Sequence, residues 1–382
     1  MLEPVPELTA KWLELSDWDA EFESEWSDLI DRCPTASIFE TPEWVGPWWR
    51  WLGRGRLRLL SVTRGRRVVA LVPLVEDVER YFGLRTTTLK FAGEPHADRL
   101  GLIHDPNDAA GLVMAAEAIA REAESVDIVR LTEMSEGEPD ERAVVEAARA
   151  CTVPLAKRTW SRSPVLRLER PWEEISAAYP KSLRTRLRRA RSRQNADGGF
   201  SFARWQPDPA EVPTLLERFR DLENRSWKGQ DGVGVFGPQD RWEFMADVSL
   251  RFARRRWLDV ATLSRGSDLV AYRYGFRYRG VFLDYNLAHD PDASRYAPGR
   301  TLLDDVIRDS HRLGLQAVDA SRGELRTPHL LADWTPDSRW HSKVMLFGPT
   351  VVGRAASLVE KTGKPLMRKI MRRKIPTATG AS

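Results

Sequence analysis

The chain has 382 residues, 42% hydrophobic and 30% charged, with a formal net charge of +4. That is enough for a sizeable core and for two or three domains, but no apolar run reaches the roughly 18 residues of a membrane span. The acidic, proline-broken start MLEPVPELTAKWLELSDWD lacks the basic and apolar regions of a secretory signal, and Cys33 and Cys151 stand at no metal-ligand spacing. A disulfide framework and a helical membrane protein are excluded, and a cytoplasmic location is expected. The six histidines form no HExxH and no Cys/His pair at zinc spacing, so no metal is expected.

In chain order, Trp18 to Cys33 has helical patterning, and a turn then leads into the Trp-rich segment PTASIFETPEWVGPWWRWLG. Leu57 to Glu79 alternates around a Gly-Arg-Arg turn and reads as a β-hairpin. Ala109 to Ser125 is an amphipathic helix, Val126 to Met134 a strand, and Asp140 to Cys151 another helix. The second half repeats this order. Pro209 to Gly229 reads as a helix, and Trp257 to Asp290 as a three-strand meander with turns at Arg265-Gly266 and Arg279-Gly280. A helix from Gly299 to Leu313 and a strand over Gln316 to Ser321 follow. The halves imply two similar α/β domains of roughly 160 to 180 residues each. The expected division is an N-terminal domain over 1–168, a basic linker helix over 169–200, a C-terminal domain over 201–350 and a basic tail over 351–382.

The turn at Pro298-Gly299 leads straight from a strand into a helix whose Leu302, Leu303, Val306, Ile307 and Leu313 share one face. Proline suits the first helical position, and glycine lets another group approach the backbone. The amides of Gly299, Arg300 and Thr301 are expected to lack intrahelical partners, with Arg295 and Arg300 adding positive charge. Two readings stand: a plain strand-to-helix turn, and a phosphate-binding helix start.

A three-strand meander followed by this loop, helix and strand resembles the acyl-CoA site of the GNAT acyltransferase superfamily. SWKGQDGVGVF (Ser226 to Phe236), FLDYNLAHDPDASRYAPG (Phe282 to Gly299) and AVDASRGE (Ala317 to Glu324), followed by Trp334, resemble the large bacterial acetyltransferases of the cellulose-biosynthesis (CelD/BcsL-like) type. KSLRTRLRRARSRQNADGG and PTASIFETPEWVGPWW fit that family too, so the resemblance covers most of Thr35 to Phe347. It implies an α/β (α+β) fold of tandem GNAT-like domains, each a mixed, mostly antiparallel sheet flanked by helices, related to Fem-type peptidyltransferases. It also implies N-acyl transfer from acyl-CoA, acetyl-CoA first, to an amine on a sugar, an amino acid or a small metabolite. The donor would lie at Arg295, Tyr296, Pro298, Gly299, Arg300 and Thr301. The N-terminal domain, which has no Pro-Gly helix start after its strands, would carry no donor site.

Transfer from a thioester needs a neutral amine, a hydrogen-bond donor for the carbonyl oxygen, and alignment of the two reactants. The resemblance places the donor N–H at Tyr285, Asn286 or Leu287. Asp284 and Asp319 are candidate bases on strands, and each reads equally as half of a salt bridge, with Arg322 an obvious partner for Asp319. Alternation sets Asp284 opposite Tyr285; Tyr285 and Glu324 are further candidates for the base. Trp227 and Lys228 read either as acceptor-pocket residues or as a helix C-terminus capped by Gly229. Arg322, Glu324 and Trp334 complete the acceptor-side candidates.

Lys181 to Arg193 carries seven basic residues and no acid. It reads as a solvated face, a phosphate contact, or a surface for nucleic acid or anionic glycolipid. In the tail, Leu358, Val359, Leu366, Met367, Ile370 and Met371 interleave with lysines and arginines. That pattern suits either a helix lying on an anionic inner-membrane surface or a disordered basic tail. Two other functions remain open: an aminoacyl-tRNA-dependent transferase, and a non-catalytic protein that binds membrane or nucleic acid.

Overall fold

The computed structural model describes residues 6–322, 325 and 329–363. The elements are β1 (Leu8–Leu13), α1 (Ala20–Arg32), α2 (Pro42–Leu52), β2 (Arg56–Arg64), β3 (Arg67–Tyr81), β4 (Leu84–Phe91), β5 (Ile103–His104) and α3 (Ala109–Glu122). Next come β6 (Ile128–Ser135), α4 (Pro139–Ala150), β7 (Leu155–Arg167), α5 (Trp172–Ala177), α6 (Lys181–Asp197), β8 (Phe200–Trp205), α7 (Val212–Arg225), α8 (Trp227–Gln230) and α9 (Gln239–Arg254). The chain continues through β9 (Leu258–Arg265), β10 (Asp268–Tyr278), β11 (Val281–His289), α10 (Pro298–Arg312), β12 (Ala317–Asp319), β13 (Ser338–Phe347) and α11 (Val351–Leu358). Among the described residues no helix is long and apolar enough to cross a membrane.

The chain forms two compact units, and neither is continuous in sequence. The first takes the chain up to Pro42, Gly53–Trp160 and the chain from His341; the second takes Glu43–Leu52 and Ser161–Trp340. The sequence suggests contiguous halves, and the difference has a packing reason. Trp44 on α2 is fully buried among Phe244, Phe252, Phe276 and Tyr285, all from the distant second half. In the same way His341 to Phe347 pair with β6 of the first unit.

In the first unit the strand order is β1-β2-β3-β4-β6-β13, with β5 on β3. β4 and β6 are parallel, and the other pairs along that order are antiparallel. β1 and β4 are additions to the hairpin expected from the sequence. The second unit orders its strands β7-β12-β11-β10-β9-β8, with only β11 and β12 parallel. The expected fold class, a mixed and mostly antiparallel sheet with flanking helices, is what the second unit shows.

The core of that unit forms where α10 meets the sheet. Leu302, Leu303, Val306 and Ile307 make one apolar stripe and are wholly buried with Phe282, Val318 and Leu331. The basic segment expected as a linker belongs to this core. Leu183 and Leu187 of α6 lie in the same cluster, and the buried stripe continues through Ala190 and Gln194. Lys181, Arg184, Arg188 and Arg189 occupy the exposed side of α6.

Candidate active site

β11 and β12 pair in parallel over only three residues, Val281–Leu283 against Ala317–Asp319. Just past that point the register of β11 with β10 slips. Tyr274 faces Asn286 and Gly275 faces Asp284, which leaves Tyr285 as an extra residue, a β-bulge. Simple alternation therefore fails here. The Tyr285 ring packs on Trp44 and Phe276, while the neighbouring Asn286 side chain bonds the Tyr272 hydroxyl at 3.0 Å.

A buried polar network surrounds the bulge. Arg273 pairs with Asp284, both side chains wholly buried, and its other Nη donates to the Gly299 carbonyl at 2.8 Å. Burial lowers the Arg273 pKa and Asp284 opposes that shift. Asp284 thus sits in an ion pair with Arg273. His329 turns Nε2 toward Asp284 at 3.7 Å and accepts the Leu331 N–H on Nδ1 at 3.1 Å, so its neutral ring carries the proton on Nε2. Burial holds His329 and His289 below the usual imidazole range, with the nearby Arg273 and Lys228 charges acting in the same direction.

On the other face, Glu223 of α7 is buried because the chain after α8 folds over it. The Phe236 N–H donates to Glu223 at 2.8 Å, and Gly234 sits so close that a Cβ would lie 2.5 Å from Glu223 Oε2. Asn286 donates to the same carboxylate at 2.9 Å and accepts from Lys228 Nζ. The helix expected over Pro209 to Gly229 breaks at Ser226, whose extended backbone and side chain cap α8. Gly229 is therefore no left-handed cap. It lies inside α8 against Asn224, whose carbonyl oxygen would be 2.3 Å from an added Cβ. This tight turn directs Lys228 at Asn286, while Trp227 is exposed. Burial, aided by Arg273, lowers the Lys228 pKa against the pull of Glu223 and Asp284.

At the start of α10, Ala297 adopts a left-handed conformation (φ 48°) and Pro298 takes the first helical position. The Arg300 and Thr301 amides, expected to be without partners, both donate to the Ala297 carbonyl, at 3.0 and 3.1 Å. Gly299 alone of the three shows no such bond, and a Cβ there would meet only His289 Nδ1 at 3.7 Å, an ordinary contact. Packing therefore does not demand glycine at this position. The flanking arginines are both paired: Arg295 with Asp197 at 2.7 Å, and Arg300 with Asp333. The Tyr296 hydroxyl also donates to Asp197, and Thr301 is buried. α6 clamps this loop by its backbone: Arg193 donates to the Arg295 carbonyl, Gln194 to that of Tyr296, and Arg191 to that of Thr301.

Asp319 closes β12, buried, with Oδ1 accepting the Ser321 N–H at 2.9 Å. Arg322 is exposed, and Trp334 is buried with the Arg300 guanidinium 5.6 Å over its ring. Glu324 lies outside the described residues, as does the tail beyond 363. Around the bulge, Asp284 meets Arg273 and His329 on one face, Lys228 meets Asn286, Glu223 and Tyr272 on the other, and Tyr285 packs among aromatics; Glu223, Tyr272, Arg273 and His329 are the members that sequence reasoning missed. In the first unit, the matching helix α3 starts on Asp108, whose carboxylate accepts the Gly111 N–H at 3.1 Å and pairs with Arg64. A carboxylate there opposes an anionic ligand.

Residues 181–327 match the family described as Acetyltransferase (GNAT) domain. No curated protein matches the chain in sequence. Among solved structures the chain is similar to FemX, at 8% identity over 87% of this chain and 96% of that one, with a TM-score of 0.57. It is also similar to L-PGS from Bacillus licheniformis, at 12% identity over 91% and 97%, with a TM-score of 0.54. At these identities the likeness is one of fold, and with the sequence match it supports a GNAT-type acyltransferase fold.

Proposed function

We propose that the chain is an N-acyltransferase of the CelD/BcsL-like type, moving an acyl group from acyl-CoA, acetyl-CoA first, to an amine on a sugar, an amino acid or a small metabolite. The observation that carries this reading is the parting of β11 and β12 after three paired residues, beside a glycine at the start of α10 that packing does not require. The donor pyrophosphate would lie at Gly299 and its neighbours Arg295 to Thr301, where a helix start favours an anion. The pantetheine arm would run between the parted strands and bring the thioester carbonyl to the bulge at Tyr285.

The amine lone pair attacks the thioester carbon, the oxyanion collapses with cleavage of the C–S bond, and the amine proton ends on the CoA thiolate. Backbone N–H groups at the bulge serve the oxyanion. Asp319 at the end of β12 is the candidate base, because Asp284 is committed to Arg273. Trp227, Lys228, Arg322 and Trp334 are the acceptor-side candidates.

One observation favours a second reading, aminoacyl-tRNA as the donor. Lys181, Arg184, Arg188 and Arg189 line the exposed side of α6, a cationic strip suited to nucleic-acid phosphates. Release of free CoA thiol from acetyl-CoA, assayed across a panel of amino sugars and amino acids, separates the two. Amine-dependent release supports acyl-CoA as donor. Deacylation of charged tRNA without any consumption of acetyl-CoA supports the second reading.

A further inference from the structure

We propose that Lys228 is an acylation site: its Nζ, held on Asn286 at the edge where β11 and β12 part, takes the acyl group of a bound acyl thioester when no acceptor amine is present. The inference rests on the acyl-CoA reading above. Three independent observations carry it.

The first is a choice of residue. The second unit uses arginine nearly everywhere it needs a cation, and Lys181 and Lys228 are the lysines of its sequence. Arginine never gives up its proton under ordinary conditions, whereas lysine does when buried. A cation needed only for charge or packing at position 228 is served by arginine, as at Arg204, Arg273 and Arg277 in this unit. A lysine there keeps a nitrogen that can become a nucleophile.

The second is rigidity. Ser226 caps α8 by accepting the Lys228 N–H at 3.2 Å, and Gly229 packs on the Asn224 backbone. Behind the contact, Asn286 is fixed by Glu223 at 2.9 Å and Tyr272 at 3.0 Å. Nζ is therefore held one residue past the bulge at Tyr285, where the thioester carbonyl would sit.

The third is reactivity. Burial and Arg273 push Lys228 below the usual lysine range, while Glu223 and Asp284 pull it back. Each unit of lowering raises the free-amine fraction at neutral pH about tenfold. The step balances without a further reactant. The Nζ lone pair forms the C–N bond, the C–S bond breaks, and the proton lost from nitrogen passes to the CoA thiolate. The products are an ε-amide and CoA thiol. The amide carries no charge, so acylation removes a cation from the network and leaves the protein blocked.

The test uses the full chain and acetyl-CoA with no amine present, read by intact mass and peptide mapping over time. Lys181, exposed in the same unit, is the internal control. The expected result is a single acetyl group on Lys228, appearing faster than on Lys181. Its rate saturates with acetyl-CoA, and Lys228→Arg abolishes it. Acetylation of Lys228 no faster than Lys181, or a rate that stays linear in acetyl-CoA, overturns the proposal. Calorimetry of acetyl-CoA on the parent chain and on Lys228→Arg keeps the two ideas apart. Donor binding to the parent chain without Lys228 acetylation sinks this proposal alone, whereas no donor binding to either protein sinks the acyl-CoA reading with it.

Discussion

Arg273 donates to the Gly299 carbonyl at 2.8 Å, so one buried guanidinium ties the first turn of α10 to Asp284 on β11. The residue that orders the start of α10 is thus also the counter-charge of Asp284 beside the bulge. Arg273→Met breaks a buried ion pair and leaves Asp284 with only His329 Nε2, 3.7 Å away, at a cost of about 3–5 kcal/mol. Urea denaturation should show that loss, and adding Asp284→Asn should recover part of it. Equal stability of the single and double variants would contradict the pairing.

Glycine has opposite meanings at two positions. At Gly299 a Cβ has room, so Gly299→Ala should be neutral or stabilise by up to about 1 kcal/mol, since glycine is a poor helix former. At Gly229 a Cβ would lie 2.3 Å from the Asn224 carbonyl, and Gly229→Ala should destabilise the turn that directs Lys228. Thermal unfolding of both variants checks the contrast. Equal shifts would mean that neither local packing is as described.

Trp44 anchors a short early helix in a unit built mainly from later sequence. It is fully buried, with Phe244, Phe252, Phe276 and Tyr285 around its ring. Trp44→Ala should cost about 3–5 kcal/mol. Hydrogen exchange should register the loss in β10 and β11 as well as α2. Exchange that changes in α2 alone would contradict the packing.

The first unit carries its own pH dependence. Burial raises the Glu40 pKa from the usual 4.5 to about 7, against hydrogen bonds from the Ser37 and Gly101 amides and with the Asp140 charge adding to the rise. Because the folded value lies above the unfolded one, the folded state binds the extra proton. Stability from this group is full below about pH 4.5 and falls away as pH rises through about 7. The fall is on the order of 3 kcal/mol. Glu40→Gln should flatten the decline between these values. A decline that persists unchanged would assign it elsewhere.

Much of the second unit is legible in the sequence, because its signals are local. The spacing of Leu302, Leu303, Val306 and Ile307 gives α10, and the glycine turns give the meander. What is not legible depends on contacts distant in sequence. Glu223 looks like a solvent-facing helix acid until the chain through Gly234 and Phe236 covers it. The bulge at Tyr285 arises from its pairing with β10, so alternation along β11 misses it. The basic run from Lys181 to Arg193 looks like a linker, because the buried stripe of Leu183, Leu187 and Ala190 is narrow among seven cations. The place of α2 has no local signal at all, since the aromatics that bury Trp44 lie some 200 residues later.

The most direct test of the central claim is calorimetric titration of acetyl-CoA into the full chain and into Gly299→Trp, with circular dichroism to verify that the variant is folded. The acyl-CoA reading predicts binding to the parent chain and none to the folded variant, because an indole at Gly299 fills the space where the donor phosphates would meet the backbone. Equal affinity in both proteins would contradict it.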